Sequence, residues 1–596
     1  MIILSLLCLL GFCTAFSCAC RMPIAKTPLY VMSGLINLLY VAAYFSALSV
    51  VTSLVYYLGI FSCIYSLYAM HRYALFWKTI TPGFCVFVIF TGLLSWIVSF
   101  HVFFAWDEFS YWGPLAKLTY LHQGFVTSGD MVHHKEYPPG ALLFYYYFYH
   151  LSGFSEGSTY VAHLLLILSP LTLVIPKDTW SAWRHSITAF FSIIIILSAA
   201  YSDFLTDFSR IYMDMPVAVM LGGLLILYFS SHKKSKDILM LTPIVTAFVL
   251  LKPQLFPLVV VLCTVIFTDQ FLRDRENTSF KKLYPMGIVL LLGWLMNVSW
   301  THYASAFEIT SSWSFMALFH GSVPHYQYFE WTQFIDIAAS ELPKLALLGL
   351  SIVAIGHYRK TPWLNINAIL FLGFCAYSAV IFFYYYASVI VYNGYKVNKF
   401  LGLSSFNRYS AMYYVAWIMF VYATMLTMTE LNRFRNIIVI LCSVIVIMMC
   451  GYRLTLPYAD TAALKQLESA VVSGVPVSQS IFTVWQAEGR LPALSLIYGL
   501  TPRAFNEGPY RFGVTKPGFE PFARNSSQET FLQEVGGFDY LFIARGDEAF
   551  WLRYGALFGE RRPRPWMYYV YEGMPHEAYL FKITHNKGRV NFEGAT

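Results

Sequence analysis

Long apolar runs separated by short polar connections dominate the chain. A helix needs about 20 apolar residues to cross the bilayer core. Fourteen candidate runs lie near residues 2–20, 29–49, 50–70, 79–104, 158–176, 188–202, 212–230, 238–251, 253–268, 284–302, 343–356, 363–391, 409–429 and 436–451. The pair over 238–268 is short for two crossings and could be a hairpin broken at Lys252-Pro253. The pattern predicts a polytopic α-helical membrane protein with about 14 transmembrane helices.

The composition agrees with this class. Hydrophobic residues make up 58% of the 596 positions and charged residues only 12%, whereas soluble domains carry about 25% charged residues. The first apolar run has no basic residue before it, unlike a cleaved signal peptide, so we interpret it as a membrane helix. The net charge of +8 comes without a basic face or a nucleic-acid motif, and we expect no nucleic-acid partner.

Lysine and arginine are distributed unequally between the two sides of the predicted membrane. Alternate connections, beginning with 71–78, carry 15 Lys and Arg, whereas the longer connections opposite them carry seven. Basic connections stay in the cytoplasm. The loops 105–157 and 303–342, and everything after about residue 452, are therefore predicted to lie outside it.

Residues 452–596 have the composition of a soluble domain, with 15 basic and 14 acidic residues. The segments "ADTAALKQLESAVV" and "DEAFWLRYGALFG" predict helices, and "FDYLFIAR" and "EAYLFKIT" predict strands. This region is predicted to be a C-terminal extracytoplasmic α/β domain.

The first external loop begins with two adjacent acids, Asp107 and Glu108, in the segment "FFAWDEFSYWGPLAK". Acids at the membrane boundary are costly unless they are hydrated, paired or used in function. The plain alternative is a pair of acids at a helix end that faces water. The loop continues with "HHKEYPPG", from His133 to Gly140, where paired prolines before glycine predict a rigid turn.

The second external connection contains three aspartates, Asp203, Asp207 and Asp214. Asp214 precedes Met215 and Pro216, so it could cap the next helix. The alternative is that these acids join Asp107 around a divalent cation or an acceptor. The spacing of the acids does not decide between these alternatives, and it leaves open whether a metal takes part.

Isolated cations lie at the external ends of several apolar segments. Lys252 stands alone in "VLLKPQLF", and Lys396, Lys399 and Arg408 gather before the span at 409–429. A buried lysine needs an anion and a guanidinium can hold a phosphate with two hydrogen bonds, so these residues could bind a lipid phosphate. Snorkelling to the interface and ordinary juxtamembrane anchoring are the alternatives.

Carboxylates and cations at one membrane face suit group transfer from a lipid-phosphate donor to an acceptor hydroxyl. A hydroxyl is a weak nucleophile and needs a base. A departing phosphate needs positive charge near it.

Five segments together resemble the polytopic C-type (GT-C) glycosyltransferases. In chain order they read "WDEFSYWGPLAK", "EYPPG", "YMDMP", "LKPQ" and "FNRYSAMYY". They are similar to segments of the protein O-mannosyltransferases, the lipid A aminoarabinose transferases and the arabinofuranosyltransferases. The resemblance covers roughly residues 80–430. These families use polyprenyl-phosphate sugars.

The resemblance implies roles for individual residues. By position Asp107 is the catalytic base, with Glu108 second. The remaining motif residues of the family fall on Tyr137, Pro138, Arg408 and Tyr409. Lys252, Lys396, Lys399 and Arg408 are the expected ligands of the donor phosphate, and His133, His134, Tyr137 and Tyr409 the expected substrate-binding residues.

The resemblance also divides the chain and gives it a location. Residues 1–78 are additional N-terminal transmembrane helices, 79–451 form the GT-C-like catalytic module, and 452–596 form the external domain. The protein is expected in a bacterial inner membrane, surrounded by membrane lipids, with its active site on the extracytoplasmic face. The reaction implied is a single displacement that inverts the anomeric centre.

Two other functions remain open from the sequence. One is a ligase or polymerase of undecaprenyl-linked glycan, which would rely more on arginine and histidine than on an acid in the first loop. The other is a non-enzymatic lipid-sugar flippase, which should place charges along a central path. The sugar is not specified, and the acceptor could be a glycan, a lipid or a surface protein.

Overall fold

The structure, a computed structural model, describes the chain in separate ranges. The described residues are 1–72, 79–130, 132, 134–175, 178–201, 204, 206–231, 234–273, 280–309, 370–373, 377, 406–427, 461–485, 491–501, 511–512, 523–524, 527–559, 563–571, 574–586 and 589–594.

Helices occupy the apolar part of the chain. They are α1 (Ile2–Cys20), α2 (Thr27–Tyr44), α3 (Leu48–Arg72), α4 (Pro82–Val98), α5 (Gly113–His122), α6 (Gly140–Ser152), α7 (Glu156–Leu171), α8 (Trp183–Ala200), α9 (Asp214–Phe229), α10 (Ser235–Leu239), α11 (Thr242–Val249), α12 (Phe256–Arg273), α13 (Phe280–Ala306) and α14 (Phe406–Thr427). A helix therefore lies at each predicted span up to residue 302 and at 409–429. The predicted spans 343–356 and 436–451 lie outside the described residues, as does nearly all of 363–391.

Within the described ranges, six helical stretches are long and apolar enough to cross a membrane. They are Ile2–Cys20, Ile24–Tyr44, Leu48–Arg72, Glu156–Val174, Trp180–Ser198 and Arg408–Leu426. Three further apolar helices, Pro82–Val98, Asp214–Phe229 and Phe256–Phe271, are shorter. The hairpin predicted over 238–268 is indeed broken at Lys252, whose backbone is extended before a short 3-10 turn at Pro253–Leu255.

Helix starts follow local sequence signals. Proline stands in the first turn of α2, α4, α5 and α11, where its missing N–H is not needed and its fixed φ suits the helix. Ser155 caps α7 by accepting a hydrogen bond from the backbone N–H of Ser158. The proline in the first turn of α5 favours a helix that starts directly after the acidic segment of the first loop.

Small residues allow the first helices to pack closely. A Cβ added at Gly11 of α1 would lie 2.8 Å from the carbonyl oxygen of Gly59 in α3, and one added at Gly59 would lie 2.5 Å from Cβ of Cys8. Such close approach of small residues is typical of helix pairs in membranes. Cys8 and Cys13 are buried as small fillers in this core.

The C-terminal region is an α/β unit. Its strands are β1 (Ile481–Trp485), β2 (Arg511–Phe512), β3 (Ala523–Arg524), β4 (Tyr540–Arg545), β5 (Met567–Tyr571), β6 (Met574–Asn586) and β7 (Arg589–Gly594), and its helices are α15 (Thr461–Gly474), α16 (Leu491–Leu500), α17 (Gln528–Val535) and α18 (Glu548–Tyr554). The two helices and two strands predicted from the sequence are present as α15, α18, β4 and β6.

Five strands form the main sheet in the order β1-β4-β6-β5, with β7 also pairing with β6. β1 runs parallel to β4, with Ile481 opposite Tyr540, and the other pairs are antiparallel. Side chains alternate between the faces of β4. Leu541 and Ile543 pack towards α17 and α18, whereas Phe542 and Ala544 pack towards α15 and α16.

Candidate functional site

Asp107 lies just before a π-helical turn, Glu108–Trp112, that leads into α5. The N–H of Gly113 donates to the carbonyl of Glu108, five residues earlier. A Cβ on residue 113 would lie 2.5 Å from that carbonyl oxygen and 2.7 Å from the Phe103 ring, so the turn requires glycine. Within it the Tyr111 hydroxyl donates to Oδ2 of Asp107 over 2.8 Å. π-Helical turns are frequent at functional sites.

Glu108 faces the protein interior and is fully buried. Its Oε2 accepts from the backbone N–H groups of Phe104 and Ala105, both at 2.7 Å. Its Oε1 accepts from the Tyr160 hydroxyl at 2.7 Å and from the N–H of Ile211 at 2.9 Å. Burial raises the pKa of Glu108 to about 7, although the four donors oppose that shift. Glu108 thus joins the first loop to α7 and to the segment before α9.

Four charged side chains, Asp107, Arg408, Asp214 and Lys252, form what we call the ion-pair cluster. Nη1 of Arg408 donates to Oδ2 of Asp107 over 2.9 Å. Nε of Arg408 lies 2.9 Å from Oδ2 of Asp214 without good hydrogen-bond geometry. Nζ of Lys252 donates to Oδ1 of Asp214 over 2.6 Å. Two acids and two cations therefore alternate, and their formal charges cancel.

Aromatic rings cover the cations of this cluster. Nζ of Lys252 lies 3.9 Å from the centroid of the Tyr409 ring. The guanidinium carbon of Arg408 lies 4.7 Å from the Tyr212 ring and 5.7 Å from the Tyr409 ring. Cation–π contacts of this kind stabilise a desolvated cation. Lys252 is only 3% exposed, so it is buried rather than extended to the surface.

The "EYPPG" turn approaches the cluster from a second side. The His134 ring stacks on Tyr137 at 4.8 Å and meets Tyr111 edge-on at 4.9 Å. Tyr111 is the residue that donates to Asp107. The N–H of Gly140 donates to the carbonyl of Leu250 over 2.8 Å, so the turn is held against the Lys252 hairpin.

The structure brings together Asp107, Asp214, Lys252, Arg408 and Tyr409. His134 and Tyr137 join them through Tyr111. Glu108 points away from the cluster, as neighbouring positions in a helical turn do. Asp214 is the first residue of α9, but Met213 occupies the N-cap position and no side chain caps the helix. The capping alternative for Asp214 is therefore wrong, and its carboxylate contacts Lys252 and Arg408 instead. Asp207 is buried in a 3-10 turn, Thr206–Ser209.

Several predicted residues lie outside the described part of the chain. They are His133, Lys396, Lys399, Asp203 and most of the loop 303–342. Within the described ranges, no group of three His, Cys, Asp or Glu side chains is placed so that it could hold a metal ion.

Sequence reasoning missed four nearby residues: Tyr111, Tyr212, Arg210 and Tyr377. Arg210 lies 5.6 Å from the Phe104 ring, and its Nε is buried without a hydrogen-bond partner among the residues that are described. The Tyr377 hydroxyl, buried near Asp214 and Tyr409, is likewise without one in those ranges. Tyr111 could have been found from its position four residues after Asp107 on a helical turn, and Arg210 from standing four residues before Asp214.

The arrangement suits proton transfer beside an anion site. Both contacts of Asp107 use Oδ2, and its side chain is 14% exposed. Oδ1 makes no hydrogen bond to the described residues and is the oxygen that can accept a proton. Nη1 of Arg408 is hydrogen-bonded to Asp107 and Nε faces Asp214, whereas Nη2 has no hydrogen bond to the residues that the structure describes and could serve an anionic ligand.

Comparison with known proteins gives a likeness of fold. No family model and no curated protein matches the chain. Two solved structures of ArnT from Cupriavidus metallidurans are similar to it. The apo form has 12% identity and a TM-score of 0.43. The form bound to undecaprenyl phosphate has 10% identity and a TM-score of 0.47. Each match covers 83% of this chain and 97% of the ArnT chain.

Proposed function

We propose that this protein transfers a sugar from a polyprenyl-phosphate donor to an acceptor hydroxyl on the extracytoplasmic face of the membrane. The observation that supports the proposal most directly is the ion-pair cluster. In it a partly exposed carboxylate, Asp107, pairs with Arg408. Arg408 and Lys252 both face Asp214, so two cations lie close to Asp107 at the ends of apolar helices. A base and a phosphate site in contact are what such a transfer needs.

The reaction is a single displacement with Asp107 as base. Oδ1 of Asp107 takes the proton of the acceptor hydroxyl as the oxygen bonds to the anomeric carbon. The bond from that carbon to the phosphate oxygen breaks, and the electron pair leaves with polyprenyl phosphate. Attack from the face opposite the phosphate inverts the anomeric configuration. Tyr111 and Arg408 hold Oδ2 and so orient Oδ1.

The donor phosphate must draw Arg408 and Lys252 partly away from Asp214 and Asp107. Each cation already has a carboxylate partner in this structure. The negative phosphate therefore exchanges for carboxylate contacts instead of filling a bare cationic site. Such an exchange keeps both cations compensated before and after binding, and buried charges require that compensation. Arg210 supplies further positive charge beside Tyr212.

The role of Asp107 is tested by Asp107→Asn, with Asp130→Asn as the matched control. Asp130 lies in the same loop but pairs with His122. Membranes containing each variant are incubated with undecaprenyl-phosphate pentose, aminopentose and hexose, and release of undecaprenyl phosphate is followed. We expect Asp107→Asn to lower turnover by about 10²–10⁴-fold, the usual contribution of a general base, while Asp130→Asn stays near wild type.

Wild-type turnover in Asp107→Asn would show that the base lies elsewhere. If the wild type transferred no sugar, and Asp107→Asn lost the export of lipid-linked sugar that the wild type supports, the result would instead favour a flippase.

The phosphate site is tested by binding of undecaprenyl phosphate to the purified protein. Lys252→Met leaves Asp214 without one partner, so the double variant Lys252→Met with Asp214→Asn is included to restore charge balance. We expect three variants to bind undecaprenyl phosphate at least about tenfold more weakly than wild type: Lys252→Met, the double variant and Arg408→Met. Each of them removes a charge-assisted contact to the phosphate. Lys135→Met, a loop lysine that donates to the Ser128 carbonyl, is the control. Unchanged affinity in every cluster variant would exclude Lys252 and Arg408 from the site.

A further inference from the structure

Helix α16 of the C-terminal region has two apolar faces. Leu496 and Leu500 pack in the core between the sheet and α15. Leu494 and Tyr498 pack instead in the core of the membrane helices. Positions two apart point to opposite sides of a helix, whereas positions four apart share a side. The helix is therefore shared by both hydrophobic cores.

The contact on the membrane side is made with the segment that carries Asp107. The Tyr498 ring lies 5.4 Å from the ring of Phe103 and 5.7 Å from that of Phe109. These phenylalanines stand four residues before and two residues after Asp107. A large buried ring between them restricts the path of the chain through Asp107.

Polar contacts strengthen this contact between α16 and the segment that carries Asp107, which we call the joint. Nζ of Lys117 donates to the carbonyls of Tyr498 and Gly499 at 3.3 and 3.2 Å, where a helix C-terminus attracts positive charge. The Tyr498 hydroxyl lies close enough to the Glu156 carboxylate for the two groups to interact electrostatically. Oε2 of Glu156 in turn accepts from the N–H of Phe103 over 2.7 Å.

We propose that Tyr498 is a positioning residue: through Phe103, Phe109 and Glu156 it holds the Asp107 segment in its working geometry. The C-terminal domain is then a structural part of the active site, beyond any role in acceptor binding. This inference rests on the proposed role of Asp107 as the base. Tyr498 itself contacts neither the ion-pair cluster nor, on this proposal, the substrate.

The experiment compares Tyr498→Ala and Tyr498→Phe with Tyr568→Ala, which removes an exposed tyrosine from β5 of the same region. Hydrogen–deuterium exchange of the purified full-length protein is measured over residues 103–113. We expect faster exchange there in Tyr498→Ala, because the backbone donors of Phe103, Phe104 and Ala105 lose their fixed acceptors. Tyr498→Phe keeps the ring and should restore most of the protection, and Tyr568→Ala should match wild type.

Turnover separates positioning from simple stability. With whichever undecaprenyl-phosphate sugar proves to be a donor, Tyr498→Ala should lower kcat by about 10–10²-fold, the effect of a misplaced catalytic group, with KM for the donor little changed. Tyr498→Phe should recover most of kcat. A merely structural role would lower the amount of folded protein without changing kcat per folded molecule.

Unchanged exchange over 103–113 in Tyr498→Ala would overturn the inference. If that variant does not fold, Lys117→Met, which loosens the same joint, decides between the outcomes by the same two measurements. The exchange measurement does not depend on the reaction. Full activity of Asp107→Asn together with faster exchange in Tyr498→Ala would therefore reject the proposed base while keeping the joint.

Discussion

Two neighbouring acids in the first loop have opposite surroundings. Asp107 is partly exposed and contacts Arg408 and Tyr111, whereas Glu108 is fully buried and receives four hydrogen bonds. A carboxylate saturated with donors from three segments is suited to holding backbone in place rather than to accepting a substrate proton. At the scale of single residues we therefore assign chemistry to Asp107 and positioning to Glu108.

Glu108→Gln is expected to lower stability more than activity per folded molecule. Glutamine offers one acceptor oxygen, so about two of the four donors lose their partner, at roughly 1–3 kcal/mol for each buried group left unsatisfied. The thermal unfolding of the purified variant is compared with that of Glu136→Gln, a carboxylate in the same loop. A Glu108→Gln protein with wild-type stability and no turnover would place Glu108 in the chemistry instead.

The pH dependence of stability should carry the signature of Glu108. Burial raises its pKa to about 7 in the folded protein, above the ordinary value of about 4.3. A carboxyl group whose pKa is higher in the folded than in the unfolded protein stabilises the fold fully when the pH is below the unfolded-state pKa. That contribution is lost as the pH rises through the folded-state pKa. The melting temperature of wild type relative to Glu108→Gln should thus fall between about pH 4.5 and 7 and level off above. A flat difference would contradict the raised pKa.

Residue types at the site could be predicted, but their pairings could not. Asp107, Asp214, Lys252 and Arg408 were each singled out because charge is rare in an apolar chain. Arg408 reaches Asp107 across 301 positions of sequence, and Lys252 reaches Asp214 across 38. Such contacts depend on helix packing, which apolar periodicity does not encode. The isolated Lys252 therefore indicates from the sequence that an anion must lie nearby. It does not reveal that this anion is Asp214 of the same chain.

Among the secondary-structure elements, the "EYPPG" turn shows how the loop is tied to the membrane helices. The Gly140 N–H bonds to the Leu250 carbonyl, and Nε1 of Trp300 in α13 donates to the Glu136 carbonyl over 2.8 Å. The turn therefore touches both the Lys252 hairpin and α13. Its rigidity sets the distance between the first loop and Lys252.

Gly140→Ala should disturb this contact. An added Cβ would lie 2.6 Å from the Leu250 carbonyl oxygen, so backbone must shift, at about 1–3 kcal/mol for an overpacked site. Because the shift is passed to Lys252, weaker binding of undecaprenyl phosphate should accompany the lower melting temperature. Gly129→Ala is the control, because the nearest atom to its added Cβ is 3.9 Å away. Equal behaviour of the two variants would show that the turn is not fixed to the hairpin.

The elements were predicted best where the pattern was long. Runs of about 20 apolar residues gave the positions of α1, α2 and α3, because membrane helices need continuous apolar sequence. Short strands were harder. β1, "IFTVW", is buried on both faces, and a five-residue apolar run does not distinguish a strand from a helix by its periodicity. The pattern of apolar and polar positions also does not predict the π-helical turn after Asp107.

For the whole molecule, orientation in the membrane is the main prediction. The unequal distribution of Lys and Arg predicts that residue 234 lies in the cytoplasm and the C-terminal region outside it. Alkaline phosphatase and green fluorescent protein fused after residue 234 and after residue 596 should report opposite sides. The same compartment for both would invalidate the topology and with it the external active site.

The two apolar faces of α16 have a practical consequence for anyone who cuts the chain. A water-soluble fragment starting near residue 452 would expose Leu494 and Tyr498, which the membrane helices cover in the full protein. Exposed apolar patches of this kind promote aggregation. Replacing the two side chains by polar ones should keep such a fragment in solution, since Leu496 and Leu500 would still complete its own core.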